Sequence, residues 1–300
     1  MVIRIFTVMV LLLAATAVVL GSLRILHDRQ IERLWEALRV PSGTALYDPE
    51  SVAHLPEPAQ RYLRHAIAPG TRLARSVIVE MQGRIGLKPG ADKLPFQASQ
   101  ILATPNGLIW KATVGEGIMQ FTGSDRYIAG EGAMLWFMGY VIPLVRASGA
   151  DVSRSAAGRV ALEAPLMLPS ALLPEAGARW EAVDARSARV HLQVGSEQLA
   201  LLISVAPDGR LERIEMPRWD TEGMDGKPGY VLWVGDQLTE ERTFGGYTIP
   251  VRMRATRRAD TSQGLCTLST WNFFSLVSIR TVTSFGSSAR TMTWATSRWT

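Results

Sequence analysis

Four histidines, His27, His54, His65 and His191, fall on different predicted elements with neither HxH nor HxxxH spacing, so no pair is pre-set on one face to chelate a metal. Asp220, Glu222 and Asp225 precede Gly226 in a pattern like a calcium loop, but Met224 occupies the fifth position, where an oxygen ligand belongs. The lone cysteine, Cys266, excludes an internal disulfide and any multi-cysteine metal site. Gly123, Gly130 and Gly132 surround Tyr127 without a helix start after them, so they read as hairpin glycines rather than a phosphate cradle. No nucleophile elbow, P-loop or dinucleotide fingerprint occurs. Acid–base chemistry has only Glu163, Glu131, Asp125 and His191 to draw on, and nothing in their spacing pairs one with a second group as general catalysis requires. The expectation is no enzyme, no metal and no cofactor.

Binding chemistry has more material. Residues 133–145 read AMLWFMGYVIPLV, the most apolar stretch after the N-terminus, and residues 165–174 combine three prolines with Leu166, Met167, Leu168, Leu172 and Leu173. Trp136, Phe137, Met138, Tyr140, Ile142, Leu166, Met167 and Leu168 together exceed what one sheet face needs, which suits a wall facing a lipid or acyl chain. Such a ligand needs a cavity of about 300 Å³ or more. The run 251–258 alternates, placing Arg252 and Arg254 on one strand face and Val251, Met253 and Ala255 on the other, so these two arginines are candidate contacts for anionic headgroups. Nucleic acid is not expected, because no aromatic-interleaved basic surface or reading helix is present.

The elements that must position these residues begin with a span. Residues 5–23 are free of charge, flanked by Arg4 and Arg24, and a helix of that length covers about 28 Å, close to the hydrocarbon thickness of a bilayer. A transmembrane anchor over 1–26 is expected; the competing reading is a cleaved signal peptide, with Ala15-Thr16-Ala17 as its site. Charges flank both ends, so orientation is poorly determined, and the signal-like start places the domain outside the cytoplasm. Residues 27–70 form a juxtamembrane helical region. Ile31, Leu34, Trp35 and Leu38 share one face of a helix that Pro41 ends, to lie in the lipid interface or pack on the domain. A second helix lies within 55–70, begun by Pro56 and Pro58 and ended by Pro69-Gly70.

From Thr71 the pattern turns to period two, with Val77, Val79 and Met81 alternating with Ser76, Ile78 and Glu80, and short runs joined by Gly, Pro, Asn and Asp. Residues 151–162 interrupt this as the one sizeable helix of the domain, with Asp151 and Ser153 as N-cap acceptors and Pro165 as its stop. Strands resume to Ala255, and Asp208-Gly209 is a strong hairpin signal. A 47% hydrophobic share and nine Trp supply a large core without a second span. The net charge of +5 comes from Arg, Lys appearing only at 88, 93, 111 and 227. Residues 261–300 hold no acid and are about two-fifths Ser and Thr, which fits either closing strands or a disrupted reading frame.

The segment LPEPAQRYLRHAIAPG at 55–70, with PFQASQ at 95–100, Asp125-Arg126-Tyr127, and PSALLP at 169–174 ahead of Trp180, resembles an uncharacterised family of bacterial membrane-anchored proteins known only as a domain of unknown function. The likeness covers about 55–250, rests on the LPxPxxRYLRxA opening, and carries over no catalytic residue; the tail after Asp260 does not look like the family's ending. More loosely, a curved antiparallel sheet over a central helix is similar to the lipoprotein-carrier fold. The expected architecture is α+β: an N-terminal transmembrane helix, then one domain at 71–300 with a large curved antiparallel sheet on the helix near 151–162. The function this suggests is a bacterial inner-membrane, single-pass binding protein for an apolar ligand. The alternative is a structural or interaction protein of the envelope holding a protein partner.

Overall fold

The computed structural model describes residues 1–86, 92–117, 120–222 and 226–257, and the backbone alone of 258 and 267–281. Helix α1 (Val2–Leu38) runs without a break from the N-terminus. A short helix α2 (Glu57–Ala66) follows, then six strands: β1 (Val77–Ile85), β2 (Leu94–Ala103), β3 (Gly107–Val114), β4 (Phe121–Ile128), β5 (Glu131–Met138) and β6 (Ile142–Ser148). Helix α3 (Ala150–Met167) separates them from β7 (Arg179–Ala182), β8 (Ser187–Val194), β9 (Glu197–Val205), β10 (Leu211–Asp220), β11 (Gly229–Phe244), β12 (Tyr247–Arg258) and β13 (Thr267–Thr281). Among the described residues these make one antiparallel sheet in the order β6-β5-β4-β3-β2-β1-β13-β12-β11-β10-β9-β8-β7. Each half is a meander, and β13 joins them, pairing Val77 with Thr281 on one side and Met253 with Phe274 on the other. The α+β fold with a large antiparallel sheet and a central helix is the one expected. Of the acid-free tail, 261–266 and 282–300 lie outside the described residues, as do Cys266, Met224 and Asp225.

Period-two patterning decides which face is buried. Val77, Val79 and Met81 on β1 point to the same side as Phe96, Ala98 and Leu102 on β2 and Leu108, Trp110 and Ala112 on β3, and all join the main core. Helix α3 lies on this inner face and touches strands of both halves, β2–β6 as well as β8–β10 and β12. One helix can reach so many strands only because the sheet curls around it. The outer face of the first half carries a second, smaller core: Ile31, Trp35 and Leu38 of α1 pack on Ile101, Ala103 and Ile109. Trp35 takes Lys111 Nζ over its ring at 4.1 Å, and the same ammonium pairs with Glu32 at 2.8 Å. The amphipathic end of α1 is therefore domain, whereas residues 2–19 are exposed throughout.

Three local expectations are corrected. Helix α3 does not stop at Pro165 but runs to Met167; the proline sits in the last turn, where a single missing N–H is the only loss, and its carbonyl accepts from the buried Tyr62 hydroxyl at 2.8 Å. The N-cap is Gly149, not Asp151 or Ser153: Asp151 accepts from Trp219 Nε1 at 2.9 Å, and Ser153 Oγ bridges the Gly149 carbonyl and the Gly132 N–H. Gly130 does form the β4–β5 turn, but Gly123 and Gly132 lie within strands. A Cβ on Gly123 would stand 2.7 Å from the Trp136 Cα, and one on Gly132 would stand 2.7 Å from the Ser153 Cα. These glycines let Trp136 and the start of α3 press onto bare backbone.

Candidate functional site: an interior cavity beneath helix α3

Between α3 and the inner face lies a cavity of about 240 Å³. Its apolar wall is built at alternate strand positions, Met81 and Ile85 on β1, Phe96 on β2, Trp110 on β3, Met134 on β5, Ile214 on β10, Trp233 on β11, Met253 and Ala255 on β12, and Leu162, Leu166 and Met167 of α3 close it. Methionines enter from three strands and the helix, and their unbranched thioethers let a wall re-form around guests of different shape. Its volume lies below the ~300–1,000 Å³ of pockets that enclose whole drug-sized ligands, and at ~30 Å³ per water-sized group it holds roughly eight such groups.

A charged cluster crosses this wall. Arg159 on α3 donates to Glu163 Oε1 at 2.7 Å, to Asp125 Oδ2 at 3.2 Å and to Gln100 Oε1 at 3.1 Å, with its guanidinium 5.0 Å over the Trp110 ring. Gln100 Nε2 donates to Glu163 Oε2 at 2.5 Å, and Trp136 Nε1 to Asp125 Oδ1 at 2.8 Å. Burial raises the Asp125 carboxyl above its usual value against the pull of Arg159. Burial also works against the Arg159 charge, but Glu163 and Asp125 outweigh it and hold that group above its usual range. Arg218 on β10 differs. It donates to the Ser155 carbonyl at 2.8 Å and to Ser155 Oγ at 3.2 Å and stacks 4.5 Å over Trp233, with no carboxylate at ion-pair distance among the described residues. Burial, then repulsion from Arg159, lowers it to about 10. Trp110 Nε1, buried behind the same wall, has no hydrogen-bond partner among the described residues. The site thus offers apolar volume beside one guanidinium without an ion-pair acid among the described residues, Arg218, with Asp125, Glu163, Asp220 and Glu222 also on its lining; a slender apolar chain carrying one acceptor group suits that combination.

The expected wall is only partly here. Leu166 and Met167 line the cavity; Leu168 is buried beside it in the solid core. Trp136 stands behind the wall holding Asp125, whereas Phe137 points to the outer face, where it meets His27 at 5.6 Å between ring centroids and the Arg24 guanidinium at 4.8 Å. Met138 ends β5 half-buried, and Tyr140 and Ile142 are exposed beyond it. The stretch 133–145 is therefore not one wall: it is a hairpin whose second strand is the sheet edge. Arg252 and Arg254 occupy the outer face opposite buried Val251 and Met253, paired with Glu240 at 2.8 Å and Asp236 at 2.9 Å. Glu163 and Asp125 converge through Arg159 rather than on each other. His191 meets Glu181 at 3.1 Å on the surface, His65 of α2 meets Glu241 at 2.8 Å, and Glu131 lies exposed at the start of β5. Asp220 pairs with Arg257 at 2.7 Å, and among the described residues no group of three His, Cys, Asp or Glu side chains stands close enough to hold a metal. Gln100, Trp110, Arg218, Trp233, Met81 and Met253 were not anticipated. Gln100 alone left a trace, as a polar residue at an inner-face position of an otherwise apolar strand.

Residues 45–265 match a family described as a family of unknown function, DUF6544. The chain belongs to this family. No curated protein matches its sequence. Among solved structures this DUF6544 chain is similar to a LolA superfamily protein of Nitrosomonas europaea, at 11% identity over 74% of this chain and 91% of that one with a TM-score of 0.40. It is also similar to a putative outer membrane lipoprotein-sorting protein domain from Vibrio parahaemolyticus, at 9% identity over 68% and 84% with a TM-score of 0.35. The DUF6544 match takes in α2, α3 and β1–β12 whole, and so every residue of the cavity wall named above.

Proposed function

We propose that this protein is a membrane-tethered binding protein whose curled sheet takes up the end of an acyl chain or a similar slender apolar group, with an acceptor on the ligand meeting Arg218. The observation that carries this reading is the cavity itself: a Met-, Trp- and Leu-lined space between both halves of the sheet and α3. Its 240 Å³ falls short of the about 300 Å³ expected for a lipid or whole acyl chain, so the proposal takes in only the end of one chain, with the rest of the ligand outside the cavity. Catalysis is not part of the proposal. Asp125 and Glu163 on the cavity wall are both bound by Arg159, and the buried Asp220 is bound by Arg257, whereas a general base needs a proton-bearing group it can reach.

The tether is the apolar part of α1. A helix with mean hydropathy of 2.5 over its apolar window continues unbroken past Ala15-Thr16-Ala17 into the segment that packs on the sheet, an arrangement that favours an anchor over a removable leader. The cell inner membrane, with the domain outside the cytoplasm, is the location this reading proposes. Purification of the full-length chain in mild detergent, followed by organic extraction and mass spectrometry, tests it. Co-purifying acyl lipid or fatty acid at near-stoichiometric amount supports the binding reading. A stoichiometric protein partner with no bound lipid supports instead the structural or interaction role.

A further inference from the structure

The edge hairpin excluded from the cavity wall has its own surface. Tyr140, Val141, Ile142, Leu144 and Val145 are each 36–57% exposed on an unpaired sheet edge. A contiguous exposed apolar strand edge in water is an aggregation template, and proteins that keep one cover it. Its position says with what. Arg24, the first charge after the apolar span, donates to the Tyr140 carbonyl at 3.4 Å and to Thr122 Oγ1 at 2.8 Å, with its ring contact on Phe137 between them. The hairpin tip therefore stands at the height where α1 leaves the hydrocarbon. Leu23 and Leu26 of α1, equally exposed, continue the same apolar rim. Immediately above the tip, a groove of about 340 Å³ between α1 and the outer face of β4–β6 is lined by Leu23, Leu26, Phe137 and Pro143 together with Arg126 and Arg146. Neither guanidinium has a carboxylate at ion-pair distance among the described residues.

We propose that this rim is a second membrane contact: the β5–β6 tip inserts into the headgroup boundary of the leaflet from which α1 emerges, and Arg126 and Arg146 bind the phosphate of an anionic phospholipid. A tyrosine at the tip, aliphatic side chains along the strand behind it and arginines beyond them run from apolar to cationic in the direction leading out of a bilayer interface. The contact rests on the anchor reading and is independent of the cavity. It fixes the domain against the membrane at two points, so the domain does not swing about α1.

The experiment uses full-length chain carrying Cys266→Ser in nanodiscs of phosphatidylcholine, with or without phosphatidylglycerol. Single cysteines at Ile142, at Val10 in the span, and at Ala185 in the β7–β8 turn at the opposite end of the strands are labelled with an environment-sensitive fluorophore. Lipid-borne quenchers report depth. The expected result is quenching at Val10 and Ile142, none at Ala185, and a gain at Ile142 on adding phosphatidylglycerol. That gain disappears with Arg126→Gln and Arg146→Gln together and survives the two Lys replacements. Quenching at Val10 with Ile142 in water keeps the anchor and overturns the second contact. An Ile142 label that is shielded yet unquenched by lipid assigns the edge to a second protein copy and also overturns it. No quenching at Val10 removes the anchor itself, and the proposal with it.

Discussion

Ala255 lies on the inner face of β12, lines the cavity, and pairs with Gly235 across the β11–β12 ladder. Replacing it with leucine sends three more carbons into that space. At about 0.8 kcal/mol per buried CH₂ the ceiling is ~2.4 kcal/mol of added stability, and incomplete dehydration in a cavity with polar walls brings the expectation to about 1–2 kcal/mol. For a domain of this size that corresponds to a rise of roughly 2–8 °C in melting temperature. In a solid core the same substitution overpacks and lowers stability by about 1–3 kcal/mol, so the sign alone separates the two cases. The assay is thermal unfolding of the full-length chain in detergent by near-UV circular dichroism, beside titration with a fluorescent fatty acid. The expected outcome is a higher midpoint together with at least tenfold weaker binding. A lower midpoint with unchanged binding would refute the cavity as the site.

Arg159→Ala leaves Asp125 and Glu163 facing each other without their shared cation, and is expected to cost about 3–5 kcal/mol by chemical denaturation; adding Asp125→Asn and Glu163→Gln should recover most of the loss. Because burial raises the Asp125 carboxyl above 3.8, the folded state holds that proton more tightly than the unfolded chain, so this group's contribution is fully favourable below pH 3.8 and is lost as pH rises through the raised value. The stability of Asp125→Asn relative to the parent should therefore climb as pH rises above about 4, and a flat or falling difference would contradict the assignment. Trp35→Ala removes the centre of the outer-face core and should cost about 3–5 kcal/mol, seen in hydrogen exchange as lost protection over residues 24–38 while β8 and β9 stay protected.

The sequence carried the parts of this structure that are written locally. The uncharged run 5–23, the alternation of Val77, Val79 and Met81, and the face shared by Ile31, Trp35 and Leu38 each state their element and its buried side. The cavity is not local. Met81 and Met253 become neighbours across it only because β13 bridges β1 and β12, and no spacing between residues 172 positions apart announces that pairing. Reading Trp136, Phe137 and Met138 as one wall ran against the period of a strand, which must send Phe137 to the opposite face. Pro165 misled because a proline in the last helical turn forfeits one bond, and the burial of Leu162, Leu166 and Met167 outweighs it.

The central claim is that an apolar chain enters the space beneath α3, and photo-crosslinking tests it most directly. Full-length protein in nanodiscs would be irradiated with a diazirine-bearing fatty acid and digested for mass spectrometry. The account predicts adducts on the peptides that hold Met81–Ile85 and Leu162–Met167, lost in Ala255→Leu, over and above those on the span at residues 5–23. Adducts confined to the span, with none on α3 or the inner face, would contradict it.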